Sequence, residues 1–318
     1  MAVTLADLLT AGPTRVMGIV NVTPDSFADA IHRDVTGAIE YGIDLSTQGA
    51  DIIDVGGEST RPGADRVSEP DELVRVIPVV GALASLDIPV SVDTVRSAVA
   101  QAAVRAGAII VNDVSGGLAD PAMFDVVAES GAGYVLQHWR VPFDHRISGW
   151  DIGDGSFCLT SVSGWDKSDG SVCRTSGQDH QNRPHGLPHP LPPEGLPPIV
   201  SQVQTELAER VTAALRAGVG PGQLILDPGL GFGKTAAQNW ELVAHADIIA
   251  GLGFPVLWGT SRKRFLAEAY DHPTEPWQRD DAGTALTALL ARQGVWAVRT
   301  HTVAAHRTAI AVASRTRG

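Results

Sequence analysis

Carboxylates and carboxamides recur in this chain at the ends of short apolar runs, where a buried polar ligand could use them. The fullest case is Asp227-Pro228-Gly229-Leu230-Gly231-Phe232-Gly233-Lys234, directly after Leu224-Ile225-Leu226. An apolar strand delivers a carboxylate at its exit, and a glycine-rich turn passes the chain to a helix. The same grammar returns in Ile52-Ile53-Asp54-Val55 before Gly56-Gly57, in Val90-Ser91-Val92-Asp93, and in Ile109-Ile110-Val111-Asn112-Asp113. One such aspartate alone is most simply a helix cap or a turn former. Several on one rim point to a shared site. The glycine turn is not a nucleotide motif. The glycine that a P-loop places four residues ahead of its Gly-Lys pair is Pro228 here, and Gly229, Gly231 and Gly233 miss the dinucleotide spacing.

Cations gather near the C-terminal end of the chain. Arg299 and His301 stand two apart at the end of an apolar run, so both face the same side of a strand. Lys263 and Arg264 follow the preceding run, Pro255 to Gly259. An arginine fork with a lysine suits phosphate, although Arg262 or Arg264 alone could equally form a surface ion pair. Asn21 ends the first apolar run and offers a neutral oxygen. Such an oxygen suits Mg²⁺, which takes few protein ligands beside phosphate oxygens and water.

The elements that must position these groups alternate regularly. Apolar strands are expected at about 15–20, 51–55, 89–93, 109–113, 133–137, 224–227, 255–259 and 296–301, each followed by a helical pattern. Eight βα units of nearly continuous apolar strands predict an α/β fold, a (β/α)8 TIM barrel, with polar strand ends on its catalytic rim. A doubly wound open sheet is the alternative. It is disfavoured by the regular count and the missing nucleotide fingerprint.

With 318 residues and 44% apolar content the chain can bury one large domain, read here as a single unit over 1–318. A net charge of −12 disfavours nucleic acid and leaves any anion site to local cations. No apolar run approaches a membrane span, and Met1 to Thr14 lacks a signal-peptide pattern. Two cysteines fit a reducing cytoplasm, which is the expected location. One segment breaks the rhythm: about 143–198, after strand five, where a connection normally takes a few residues. It holds a tandem duplication, Ser148–Val162 followed by Ser163–Gly177, identical at ten of fifteen positions, and then a Pro- and His-rich tail. The spacing of Cys158 and Cys173 is only the repeat length, so zinc is not the favoured reading. A hydrophilic, flexible insertion is expected.

Six motifs, in order, carry a resemblance that spans nearly everything outside the insertion. They are Asn21-Val22-Thr23-Pro24-Asp25-Ser26-Phe27, Gly56-Gly57-Glu58-Ser59-Thr60-Arg61-Pro62-Gly63, Asn112-Asp113-Val114-Ser115-Gly116-Gly117, the Asp227–Lys234 turn, Ser261-Arg262-Lys263-Arg264-Phe265, and Arg299 with His301. Together they resemble the dihydropteroate synthases. The resemblance implies a TIM barrel, usually a homodimer, that joins 6-hydroxymethyl-7,8-dihydropterin diphosphate to 4-aminobenzoate in folate synthesis. By that correspondence Asp29, Lys263, Arg299 and His301 serve catalysis. Asp93, Asn112, Asp227 and Lys263 hold the pterin. Asn21, Arg299 and His301, with Mg²⁺ on Asn21, take the diphosphate. Phe27 and Asp29 of one loop, with Ser59, Thr60, Arg61 and Pro62 of a second, form the aminobenzoate pocket. The first loop departs from the family pattern, with Ala30-Ile31 where two glycines are usual. Two other readings share the pterin-binding barrel: a corrinoid-dependent methyltransferase and a non-catalytic paralogue. The cation set argues against the first, and the intact polar set against the second.

Overall fold

The computed structural model describes residues 3–22, 34–58, 66–139 and 195–316. The chain runs α1 (Leu5–Leu9), β1 (Arg15–Asn21), α2 (Val35–Thr47), β2 (Ile52–Gly56), α3 (Glu69–Ala84), β3 (Val90–Asp93), α4 (Ser97–Arg105), β4 (Ile110–Asp113), α5 (Met123–Ser130) and β5 (Gly133–Gln137). It continues with α6 (Pro198–Arg216), β6 (Leu224–Asp227), α7 (Ala236–Ala244), α8 (Ala246–Ala250), β7 (Leu257–Gly259), α9 (Asp280–Gln293), β8 (Ala297–Thr300) and α10 (Val303–Arg315). All ladders are parallel, in the order β6-β5-β4-β3-β2-β1-β8-β7. The ring closes where Leu226 pairs with Val256, just ahead of β7, and the Leu226 amide donates to Pro255 O at 2.8 Å. This is the expected (β/α)8 barrel.

Strand alternation sorts the side chains into two cores. Val16, Ile53, Val111, Leu224, Trp258 and Val298 pack outward among helix residues such as Val79, Leu83, Val203 and Leu290. Their strand neighbours Met17, Ile52, Ile110, Val135, Ile225, Leu257 and Ala297 form a separate apolar layer inside the barrel. That layer is floored from below by Leu8 of α1, and Trp296 Nε1 donates to Leu8 O at 2.8 Å. Helix α1 was not expected from the periodicity. It is five residues long and is held by a reciprocal capping box between Thr4 and Asp7 rather than by an amphipathic stripe. The helical stretch after β6 is broken into α7 and α8 at His245, whose backbone turns to φ −117°, ψ 38° and whose amide closes on Glu241 O. The inserted segment lies outside the described residues up to 194; α6 begins at its end.

Between strands and outer helices sits a buried imidazole. His306 Nδ1 meets Thr287 Oγ1 at 2.8 Å, and Thr287 Oγ1 meets Thr260 Oγ1 at 3.1 Å. His306 Nε2 has no partner among the described residues. Burial pushes this histidine down to about 4, so it is neutral in the fold. The unfolded chain takes up the proton near pH 6.5 and the folded one only near 4, so stability falls as pH drops through that window. The loss at pH 5 is expected to be about 2 kcal/mol. Urea melts at pH 7 and pH 5 should show it, and His306→Gln should flatten the difference.

Candidate active site

Above the apolar floor the interior-facing positions turn polar. Register places Asn21, Gly56, Asp93 and Asn112 at one level, Gln137 beside Asp227, and Gly259 beside Arg299. The site is therefore the C-terminal rim, two residues beyond the floor at Asp54, Asn112, Gln137, Asp227, Gly259 and Arg299, and four beyond it at Asn21.

Arg299 crosses the barrel mouth. Its Nε donates to Asp54 Oδ2 at 2.5 Å and its Nη2 to Asp93 Oδ2 at 2.6 Å. Asn112 Nδ2 donates to the same Asp54 oxygen at 3.0 Å. Asp54 is fully buried, and its Oδ1 has no partner among the described residues. Burial pushes Asp93 up to about 7 against the pull of Arg299, with Asp54 adding to the rise. Asp227, on the facing side, accepts from Gly229 N at 2.7 Å through Oδ1. Burial raises its carboxyl too, opposed by that amide and by Lys263. Lys263 is pushed down to about 8 by desolvation, held up by Asp227. Its ammonium lies 4.6 Å from the centroid of the Phe232 ring, a cation–π contact. Phe232 in turn leans on Trp139 with centroids 5.4 Å apart.

The remaining cations separate. Arg262 adopts φ +59° and forks Asp280, with Nε at 2.9 Å and Nη2 at 3.0 Å, so it braces the start of α9. That is the ion-pair role. His301 Nδ1 lies 3.0 Å from Ser261 Oγ, which also accepts from the His301 amide, and Tyr41 OH donates to His301 O. Asn21 ends β1, half-buried, opposite Gly56. Phe27, Asp29, Ser59, Thr60, Arg61 and Pro62 lie outside the described residues.

Sequence reasoning counted Asp54 among the strand-end carboxylates but gave it no role, and left Gln137 out of the site. Both were findable by parity: Asp54 is two residues past floor residue Ile52, and Gln137 two past Val135. It also missed Arg96, which pairs with Glu58 at 2.7 Å and with Glu72, and donates to Val67 O at 2.5 Å. Arg66 adds a second pair to Glu58 at 2.8 Å. This cluster ties together the chain on both sides of residues 59–65.

Comparison with known proteins points the same way. The profile of the pterin binding enzymes matches residues 17–301. The dihydropteroate synthase of Mycobacterium leprae is 40% identical over 309 residues, covering 96% of this chain and 94% of its own. That of Bacillus subtilis is 38% identical, with 91% and 84% covered. Among solved structures, Xanthomonas albilineans dihydropteroate synthase with 4-aminobenzoic acid superposes with a TM-score of 0.76 at 37% identity, covering 99% and 97% of the two chains. The same enzyme in complex with 7,8-dihydropteroate gives 0.72 at 35%, covering 98% and 96%. The chain belongs to the pterin-binding enzyme family, among its dihydropteroate synthases.

Proposed function

We propose that this chain condenses 6-hydroxymethyl-7,8-dihydropterin diphosphate with 4-aminobenzoate, giving dihydropteroate and diphosphate. The observation that carries the reading is the buried polar layer of Asp54, Asp93, Asn112 and Asp227, roofed by Arg299 and Lys263. Buried carboxylates are costly without donors, and the amino-pyrimidinone edge of a pterin brings several N–H groups. Asp227 and Asn112 take that edge, with Asp93 on the other side of the ring. Lys263 spans the pterin and the arylamine. Arg299 has Nε and Nη2 on its two aspartates, so Nη1 is the nitrogen that turns to the diphosphate with His301. Asn21 contributes one neutral oxygen, a donor set that fits an ion sharing diphosphate oxygens and water. Mg²⁺ held there supplies charge neutralisation for the departing diphosphate.

In this scheme the methylene C–O bond breaks first, and its electron pair leaves with the diphosphate. Arg299 and His301 meet that growing charge. The pterin ring stabilises the resulting cation, the amine nitrogen attacks it, and the amine's proton leaves as the C–N bond forms. Asp29 and Phe27, with Ser59, Thr60, Arg61 and Pro62, complete the aminobenzoate side and exclude water that would capture the cation. We read about 143–198 as a hydrophilic insertion in the sequence of a single barrel domain. A second copy docks on the α9–α10 face, where Leu289 and Val312 are exposed. No helix among the described residues is long and apolar enough to cross a membrane; we place the enzyme in the cytoplasm.

The test is diphosphate release. It should require the dihydropterin diphosphate, 4-aminobenzoate and Mg²⁺ together, and kcat/KM should decline above about pH 8 as Lys263 loses its proton. Pterin binding with no amine-dependent release would identify a non-catalytic paralogue instead.

A further inference from the structure

The glycine-rich turn after β6 is built around a cation of its own. Lys234 is buried, and its ammonium donates to Gly229 O at 2.8 Å and Phe232 O at 3.1 Å. It also lies 2.9 Å from His138 Nδ1. An anion-binding nest turns backbone N–H groups inward. Here carbonyl groups turn inward and hold the chain's own ammonium. An ammonium only donates, so His138 Nδ1 accepts and Nε2 carries the ring proton. That proton faces Glu206 Oε2, 2.7 Å away on α6. A buried ammonium needs a compensating charge, and the imidazole passes the influence of the Glu206 carboxylate inward to it.

This chain of three meets the active site at two places. Lys234 fixes the carbonyl of Phe232, whose ring lies against Lys263 and Trp139. His138 donates its amide to Asp227 O at 2.8 Å, and Gly229, also gripped by Lys234, caps the Asp227 side chain. We propose that Lys234, anchored through His138 to Glu206, is a positioning residue that holds the Phe232 ring against Lys263 and so preforms the arylamine side of the site. The proposal rests on the transferase reaction assigned above.

Lys234→Met keeps the length of the side chain and removes its donors. In the full-length enzyme it should raise KM for 4-aminobenzoate about tenfold or more, with pterin diphosphate affinity by calorimetry within about threefold of the parent. Glu206→Gln keeps an acceptor at a partly exposed position. It should raise the same KM about two- to fivefold, with a lowered melting temperature but an unchanged active fraction at the assay temperature. A merely structural lysine would lower the melting temperature and the active fraction and leave both constants alone, which overturns the proposal. An equal loss for both substrates overturns it too. If Lys234→Met does not fold, Glu206→Gln decides, and a parental KM there is fatal. Failure of the transferase reading itself looks different: the parent protein would release no diphosphate.

Discussion

Arg299→Met is expected to lower turnover by about three orders of magnitude and to destabilise the fold by about 3–5 kcal/mol near pH 8.5. The two losses share one cause. Arg299 is the cation between Asp54 and Asp93, and removing it strands two carboxylates inside the barrel. The stability loss should depend on pH, and its sign follows from Asp93. Burial already pushes that carboxyl up to about 7, far above the ~3.9 of an unfolded chain. Its ionisation in the fold therefore costs stability as pH rises through the folded value. Without Arg299 that value rises further, so the gap between variant and parent is widest at alkaline pH and narrows toward pH 6. Thermal melts at pH 6 and 8.5 read this directly. Adding Asp54→Asn to Arg299→Met should recover stability without recovering turnover. Parental stability of Arg299→Met at pH 8.5 would show that the cross-mouth pairs carry nothing.

Gly229→Ala should be nearly as damaging by a different route. Gly229 sits at φ +68°, and a Cβ there would stand 2.2 Å from His138 O. That oxygen belongs to the backbone at the end of β5, which cannot swing aside as a side chain can. The tops of β5 and β6 must separate, and Asp227 loses its amide cap. A loss of at least about 4 kcal/mol is expected, with pterin affinity reduced about a hundredfold. Gly131→Ala is the matched control: φ is +71° there, but nothing lies within 4 Å of the added carbon. It should cost only the left-handed backbone term, about 1–2 kcal/mol. Equal effects of the two substitutions would remove the steric account.

The barrel was legible because a buried parallel strand is apolar on both faces, and eight such runs with helical spacers admit few arrangements. The site was legible less evenly. Asn112 and Asp113 are neighbours in one motif, yet they serve opposite faces. Asn112 turns into the mouth, while Asp113 points outward and fixes the next turn through Ser115, Gly117 and the Tyr134 hydroxyl. Only the period-2 pleat tells them apart. Asp54 stood among the strand-end carboxylates but drew no role, because Val55 continues its apolar run and no local signal names its partner. Arg262 and Lys263 are adjacent cations, and nothing local says which turns to the site. The partner that claims Arg262 is Asp280, from another element. Tertiary pairings of this kind, like those of Arg96 with Glu58 and Glu72, are written in no single stretch of sequence.

One Asp54 oxygen is shared by Arg299 and Asn112, and Arg299 reaches on to Asp93. These four positions, from four different strands, behave as a single electrostatic object. Arg299 is the member that cannot change alone, since its loss leaves Asp54 and Asp93 buried with no cation between them. Loss of the arginine must come with loss of an aspartate, and descendants of this chain that lack Arg299 should lack Asp54 or Asp93 as well. Exposed positions away from this mouth and from the α9–α10 face carry no such lock and are free to diverge one substitution at a time.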